Sequence, residues 1–106
     1  MSTKLSAAEF YDVLTSTGIP ARYSHFTNPQ DPPFLVYLGD GQNAFDADDR
    51  IYWKENEYRV EFYFKEKSPT LEESIENALI NAGIRYEKSE DNWIESEGVF
   101  VIYYYC

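Results

Sequence analysis

Phe10, Val13, Leu14 and Thr17 recur at spacings of three and four, the period of one helix face. Ser6 and Glu9 stand ahead of them as an S-x-x-E capping box, which satisfies two backbone N–H groups at a helix start. A helix is therefore predicted over 6–17, with Tyr11 alongside the stripe. Gly18 suits the left-handed position after its last turn, and Pro20 prevents it from resuming. A second stripe, Leu71, Ile75, Ala78, Leu79 and Ala82, runs through "SPTLEESIENALINAG" at 68–83. Ser68 or Thr70 caps it, Thr70 with Glu73 offers another capping box, and Pro69 suits the first turn. Glu72, Glu73 and Glu76 lie toward its positive end, and Gly83 terminates it.

The remaining apolar positions run together or alternate. "FLVYL" (34–38) is nearly all apolar and reads as a strand covered on both faces. "EYRVEFYFK" (57–65) alternates strictly, with Tyr58, Val60, Phe62 and Phe64 on one side and Arg59, Glu61, Tyr63 and Lys65 on the other. One face covers a core; the other is wet or meets a partner. "ARYSHF" (21–26), "IRYEK" (84–88), "NWIES" (92–96) and "GVFVIYYYC" (98–106) are further strands, and "TNPQDPP" (27–33) is a loop. The order α-β-β-β-α-β-β-β indicates one α+β domain over 1–106. Its two helices pack on one face of an antiparallel sheet, with a mixed sheet left open. Whether the last strand is central or at an edge is not fixed by the pattern. Between 38 and 57 the alternation fails. Projected backward, Asn56, Lys54 and Arg50 fall on the apolar side and Ile51 and Trp53 on the polar one. A bulge or turn near "KEN" (54–56) is expected, and 40–56 reads as a long acidic connection anchored by Tyr52 or Trp53.

Charge narrows the function classes. The chain has 106 residues and a net charge of −10, which opposes the counterion displacement that binding phosphate backbones requires. Sequence-specific nucleic-acid binding is not expected. Solubility, an acidic face for a basic partner, or a surface that DNA slides past remain. Ten tyrosines and seven phenylalanines suit half-buried and interface positions. The single cysteine, Cys106, forms no intrachain disulfide and fits a reducing cytosol. Neither a secretory leader nor an 18-residue apolar run is present in the sequence, so no membrane association is expected.

Candidate chemistry is sparse. An EF-hand loop started at Asp46 places Asp48 and Glu57 correctly, but Arg50 takes the fifth position and Ile51 the sixth, where glycine is needed. A different calcium site from Asp40, Asp46, Asp48 and Asp49 stays open. His25 and Cys106 are the only residues of their kinds, so a zinc set is absent and nucleophilic catalysis is disfavoured. "GDGQNA" lacks the phosphate-loop lysine and the G-x-G-x-x-G spacing. With 19 acidic residues, a carboxylate pair at glycosidase separation is inevitable and carries no weight. The run "EKSEDNWIESE" (87–97) reads as a solvated hairpin with an apolar anchor, or as an interface hot spot around Trp93. No catalytic, cofactor-binding or metal-binding residue is assigned, and no enzyme activity is expected. The candidate interface residues are Asp40, Asp46, Asp48, Asp49, Arg50, Tyr52, Trp53 and Trp93.

"FYDVLTSTGIP", "YSHF", "PPFLVYLGDG", "FDADDRIYW", "YRVEFYF", "LEESIENALINAGIRYEKSE" and "VFVIYYY", in this order, resemble the small tail-terminator or tail-completion proteins of long-tailed phages and prophages. The resemblance covers nearly the whole chain as a pattern of elements. It implies an α+β subunit without cofactor or catalysis, assembling with itself as a ring, often a hexamer, at the head-proximal end of the virion tail. There such a ring stops tube growth and meets tail-tube and head-completion proteins, after assembly in the host cytoplasm. The competing expectation is a small acidic inhibitor or DNA mimic that occupies a basic partner. It needs carboxylates arrayed over a convex face, whereas a ring needs them on one loop or lumen surface.

Overall fold

The computed structural model describes residues 3–47 and 50–106, with side chains described for all of these except 43–47 and 50–54. The first helix, α1 (Ala7–Thr15), starts as its sequence demands. The Glu9 N–H donates to Ser6 Oγ at 3.2 Å, and the Ser6 N–H donates to Glu9 Oε1 at 3.0 Å. It ends two residues earlier than predicted, where the Thr17 and Gly18 N–H groups turn onto carbonyls three residues back, Leu14 and Thr15. The second helix, α2 (Pro69–Asn81), is capped by Ser68, whose Oγ accepts from the Leu71 N–H. Thr70, the alternative cap, lies inside the helix.

Six strands form one sheet: β1 (Ala21–Tyr23), β2 (Phe34–Ala47), β3 (Arg50–Phe64), β4 (Glu87–Lys88), β5 (Asn92–Ile94) and β6 (Val99–Tyr105). Their lateral order is β1-β2-β3-β6-β4, with β5 also on β6. Only β1 and β2 run parallel, so the sheet is mixed and the class is α+β. The last strand is interior, between β3 and the short β4 and β5. The strands predicted over 21–26, 84–88, 92–96 and 98–106 are all shorter, at Ala21–Tyr23, Glu87–Lys88, Asn92–Ile94 and Val99–Tyr105. β1 stops at Tyr23, where Ser24 takes a positive φ of 66°. Ile84 leaves the 84–88 strand because it is buried in the core and its N–H closes the end of α2 on the Leu79 carbonyl.

The alternation of β3 builds the core. Tyr58, Val60, Phe62 and Phe64 are buried with Leu35 and Tyr37 of β2 and Ile102 and Tyr104 of β6. The register sets Leu35 against Phe62 and Val60 against Tyr104, which puts these side chains on one face. Phe10 and Leu14 of α1 and Ile75 and Leu79 of α2, all fully buried, cover that face in the same cluster. Phe10 stacks on Tyr58 with ring centroids 4.4 Å apart.

Residues 40–56, expected as a connection, are largely strand. The β2–β3 ladder continues from Phe34↔Tyr63 out to Ala47↔Arg50. Yet β6 accompanies β3 only from Arg59 to Phe64, and β1 accompanies β2 only from Leu35 to Tyr37. Beyond them the hairpin continues as a two-stranded ribbon, within a molecule measuring 51 × 26 × 25 Å. The expected irregularity near 54–56 is on the facing strand: Asp40 and Gly41 together oppose Glu57. A second shift leaves Tyr52 unmatched between Trp53 and Ile51. A bulge on one strand is invisible to the periodicity of the other. Moreover, alternation constrains a strand only where a helix covers one face. Asn56 and Tyr58 instead hold the N-terminal segment: Asn56 Nδ2 and Tyr58 Oη both donate to the Leu5 carbonyl, at 3.1 and 2.9 Å.

Gly41 makes the bulge possible. Its φ of +115° belongs to a region that L side chains avoid, and an added Cβ would stand 3.3 Å from Glu57 Oε2. Gly41→Ala is expected to lower stability by about 1–3 kcal/mol, read as a lower urea midpoint at unchanged slope.

Candidate functional site

The ribbon is the part of the molecule least explained by its own folding. A two-stranded hairpin without further support is marginal in water, and its outer edges carry backbone donors and acceptors that invite another strand. Among the described residues, Thr3 and Asn56 exchange N–H···O bonds of 2.8 and 2.6 Å, Tyr58 and Cys106 exchange another pair, and the Gly39 N–H donates to Tyr23 Oη. Near the base, Gln42 Nε2 donates to Asn56 Oδ1 at 2.9 Å. Residues 39–58 carry six acidic side chains against Arg50 and Lys54.

Most of the predicted interface residues fall on this ribbon. Asp40 sits in the bulge, half-exposed, 3.7 Å from Arg59 Nη1. Asp40 thus has a charged partner within the monomer. Leu38 pairs with Arg59, so Asp40, two residues further on, is the diagonal neighbour of Arg59. Asp46 pairs in the ladder with Ile51, and Arg50 with Ala47. Tyr52 occupies the register shift, and Trp53 lies opposite Phe45. Asp48 and Asp49 lie outside the described residues. Trp93 is elsewhere, on β5, 54% exposed, with its ring 4.8 Å from Phe100 across the β5–β6 pair. The structure thus gathers Asp40, Asp46, Arg50, Tyr52 and Trp53 on one hairpin and leaves Trp93 apart.

The sheet face opposite the helices is the second notable surface. Arg59, Glu61 and Tyr63 line up on it through the alternation of β3. Arg59 Nε donates to Glu61 Oε2 at 2.9 Å, and Tyr63 Oη donates to Glu61 Oε1 at 2.7 Å. Burial, then the Glu61 hydrogen bond and charge, push the Tyr63 phenol far above its ordinary value, so it remains a donor. Tyr103 and Val101 continue the rows on β6, opposite Glu61 and Tyr63.

Neither lone nucleophile is placed for chemistry. Cys106 is buried, and burial pushes its thiol up to about 12, which suppresses the reactive thiolate. His25 is exposed, with Nδ1 3.2 Å from Ser24 Oγ. Among the described residues no three His, Cys, Asp or Glu side chains come together to hold a metal ion, and no helix is long and apolar enough to cross a membrane. A scan against protein-family models finds no match, and a search of curated proteins finds none either.

Sequence reasoning missed a third feature. Glu72, read as an electrostatic complement to its helix end, is 4% exposed. Lys88 Nζ lies 2.8 Å from its Oε1 and Lys67 Nζ 2.8 Å from its Oε2. Lys88 also reaches Glu76 at 2.9 Å, Lys67 reaches Asp91 at 3.0 Å, and Tyr104 Oη donates to Glu76 at 2.8 Å. No local spacing signals partners this far apart in sequence.

Proposed function

We propose that the chain is a structural subunit of a homo-oligomeric ring, of the tail-terminator or tail-completion kind, at the head-proximal end of a phage or prophage tail. The observation that carries this reading is the ribbon, a hairpin continued past the strands that flank it in the sheet. A neighbouring copy offers the third strand that such a hairpin lacks. The aspartates on the ribbon suit a lumen that DNA passes without sticking. The reading requires no catalytic constellation, cofactor or metal. The acidic-mimic alternative is less well supported, because Glu72, Glu76 and Asp91 face Lys67 and Lys88 rather than forming a free carboxylate array.

Light scattering of the purified protein is expected to report a discrete oligomer, and negative-stain images closed rings. A strictly monomeric protein at high concentration overturns the reading. Because the reading assigns these charges to assembly rather than to folding, Asp46→Asn, Asp48→Asn and Asp49→Asn together are expected to leave the thermal midpoint nearly unchanged. The same variant is expected to impair assembly or DNA passage, scored by particle counts and by infection. A large fall in monomer stability would place these aspartates in the fold instead.

A further inference from the structure

A groove on the helix-free sheet face has no role in the ring reading. Its cavity is about 470 Å³, within the range of ligand-binding pockets. The floor is Phe34 and Val36 of β2 with Glu61 and Tyr63 of β3; the loop over 24–30 forms one wall, and Glu97 stands on the other side. Past Pro32 and Val99 it continues into a second cavity of about 290 Å³ that shares Pro29, Phe34, Tyr63 and Glu97. The run is open and elongated, suited to an extended chain rather than to an enclosed small molecule.

The lining specifies a chemistry. Phe34 and Tyr63 stack at 5.0 Å and 21°, and Phe26 meets Phe34 edge-on at 5.2 Å and 77°. Among the described residues, the larger cavity carries two carboxylates and no lysine or arginine, and Lys65 lines the second cavity. Glu61 is occupied, with Arg59 on one oxygen and Tyr63 on the other, so it fixes the Tyr63 ring. Glu97 is exposed, and among the described residues no ion pair engages it. An aromatic face beside a carboxylate is a site for a guanidinium or ammonium group. The same cluster already receives one cation, since the Arg22 guanidinium lies 5.8 Å from the Phe26 centroid.

We propose that this groove binds a partner polypeptide through an arginine or lysine side chain laid on the Phe34–Tyr63 stack and paired with Glu97. The partner is basic and distinct from this chain. The carboxylates of the lining, Glu61 and the unengaged Glu97, draw in a basic segment. The proposal stands apart from the ring reading and holds for a monomer as well as for an oligomer.

The test uses ¹⁵N-labelled full-length protein titrated with the acetylated, amidated peptide Gly-Gly-Arg-Gly-Gly, and with the same peptide carrying citrulline in place of arginine. Amide shifts are expected at Phe26, Phe34, Tyr63 and Glu97. The citrulline peptide is expected to bind about tenfold more weakly, the scale of one cation–π contact with a charge pair. Glu97→Gln, at an exposed position, should fold normally and show a similar loss for the arginine peptide. Equal binding of the two peptides overturns the proposal. So does an unmoved groove at millimolar peptide, or shifts confined to the ribbon or α2, which would mean general attraction to an acidic protein.

Discussion

Replacing residues 44–54 with the dipeptide Asn-Gly is expected to give a folded protein that no longer assembles. The register supplies the reason for the cut. Asn43 pairs with Glu55. Asn56 turns its backbone groups outward to Thr3, so the Gln42–Asn56 pair is not hydrogen-bonded and the next pair, Asn43–Glu55, is. A two-residue loop closes on such a pair, and Asn-Gly favours the type I′ turn that matches strand twist. Everything that holds the core stays: the β3–β6 ladder from Arg59 to Phe64, both helices, and the Thr3–Asn56 bridge. The shortened chain should therefore unfold cooperatively within about 1 kcal/mol of the parent, since shortening a loop changes closure entropy only slowly. It should sediment as a monomer where the parent forms an oligomer. An unfolded variant would make the ribbon part of the folding unit. A variant that still forms rings would place the subunit contacts on the sheet face or helices.

The ribbon also shows where sequence reading succeeds and where it stops. Ser6 with Glu9 and the Leu71–Ile75–Leu79 stripe specify both helices, because capping and a 3.6-residue period are local properties. Tyr58, Val60, Phe62 and Phe64 likewise announce a strand with one covered face, and the structure covers that face with α1 and α2. Beyond Tyr58 the covering helices end, and the pattern loses its physical cause. Asn56 and Lys54 then look like a break in a strand that in fact continues to Arg50. The extra residue belongs to β2, at Asp40–Gly41, where Gly41 was readable as a flexible position but not as half of a bulge. Arg59, Glu61 and Tyr63 were legible as the outward side of β3. The groove they help to form was not, because its wall is the loop over 24–30, whose path depends on where Phe26 finds Phe34. The ion-pair cluster at Glu72 was the least legible, since it joins positions 67, 72, 88 and 91, which only the folded chain brings together.

Lys67→Met combined with Lys88→Met is expected to destabilise the protein by about 3–5 kcal/mol at pH 7, the scale for stripping partners from a buried charge. Burial alone raises the Glu72 carboxyl. The hydrogen bonds and charges of Lys67 and Lys88 overcome that and hold it below its ordinary 4.5. Each single substitution leaves one lysine against the carboxylate, so each should cost much less than half of the double. The excess measured in a double-mutant cycle is the coupling through Glu72. The dependence on pH separates this mechanism from lost packing. In the parent protein the folded carboxyl titrates below its unfolded value. Its contribution is full above about 4.5 and is lost as pH falls through the folded value. In the double variant burial acts unopposed, and the folded carboxyl titrates above its unfolded value. Its stability should then decline as pH rises from the unfolded value through the folded one, so the gap to the parent widens with pH. Adding Glu72→Gln to the double variant removes the buried charge and should recover most of the loss at pH 7 while leaving little at pH 4. A deficit that is independent of pH, or unaffected by Glu72→Gln, would assign it to the lost ammonium–ring contacts of the lysines with Phe64 and Tyr104.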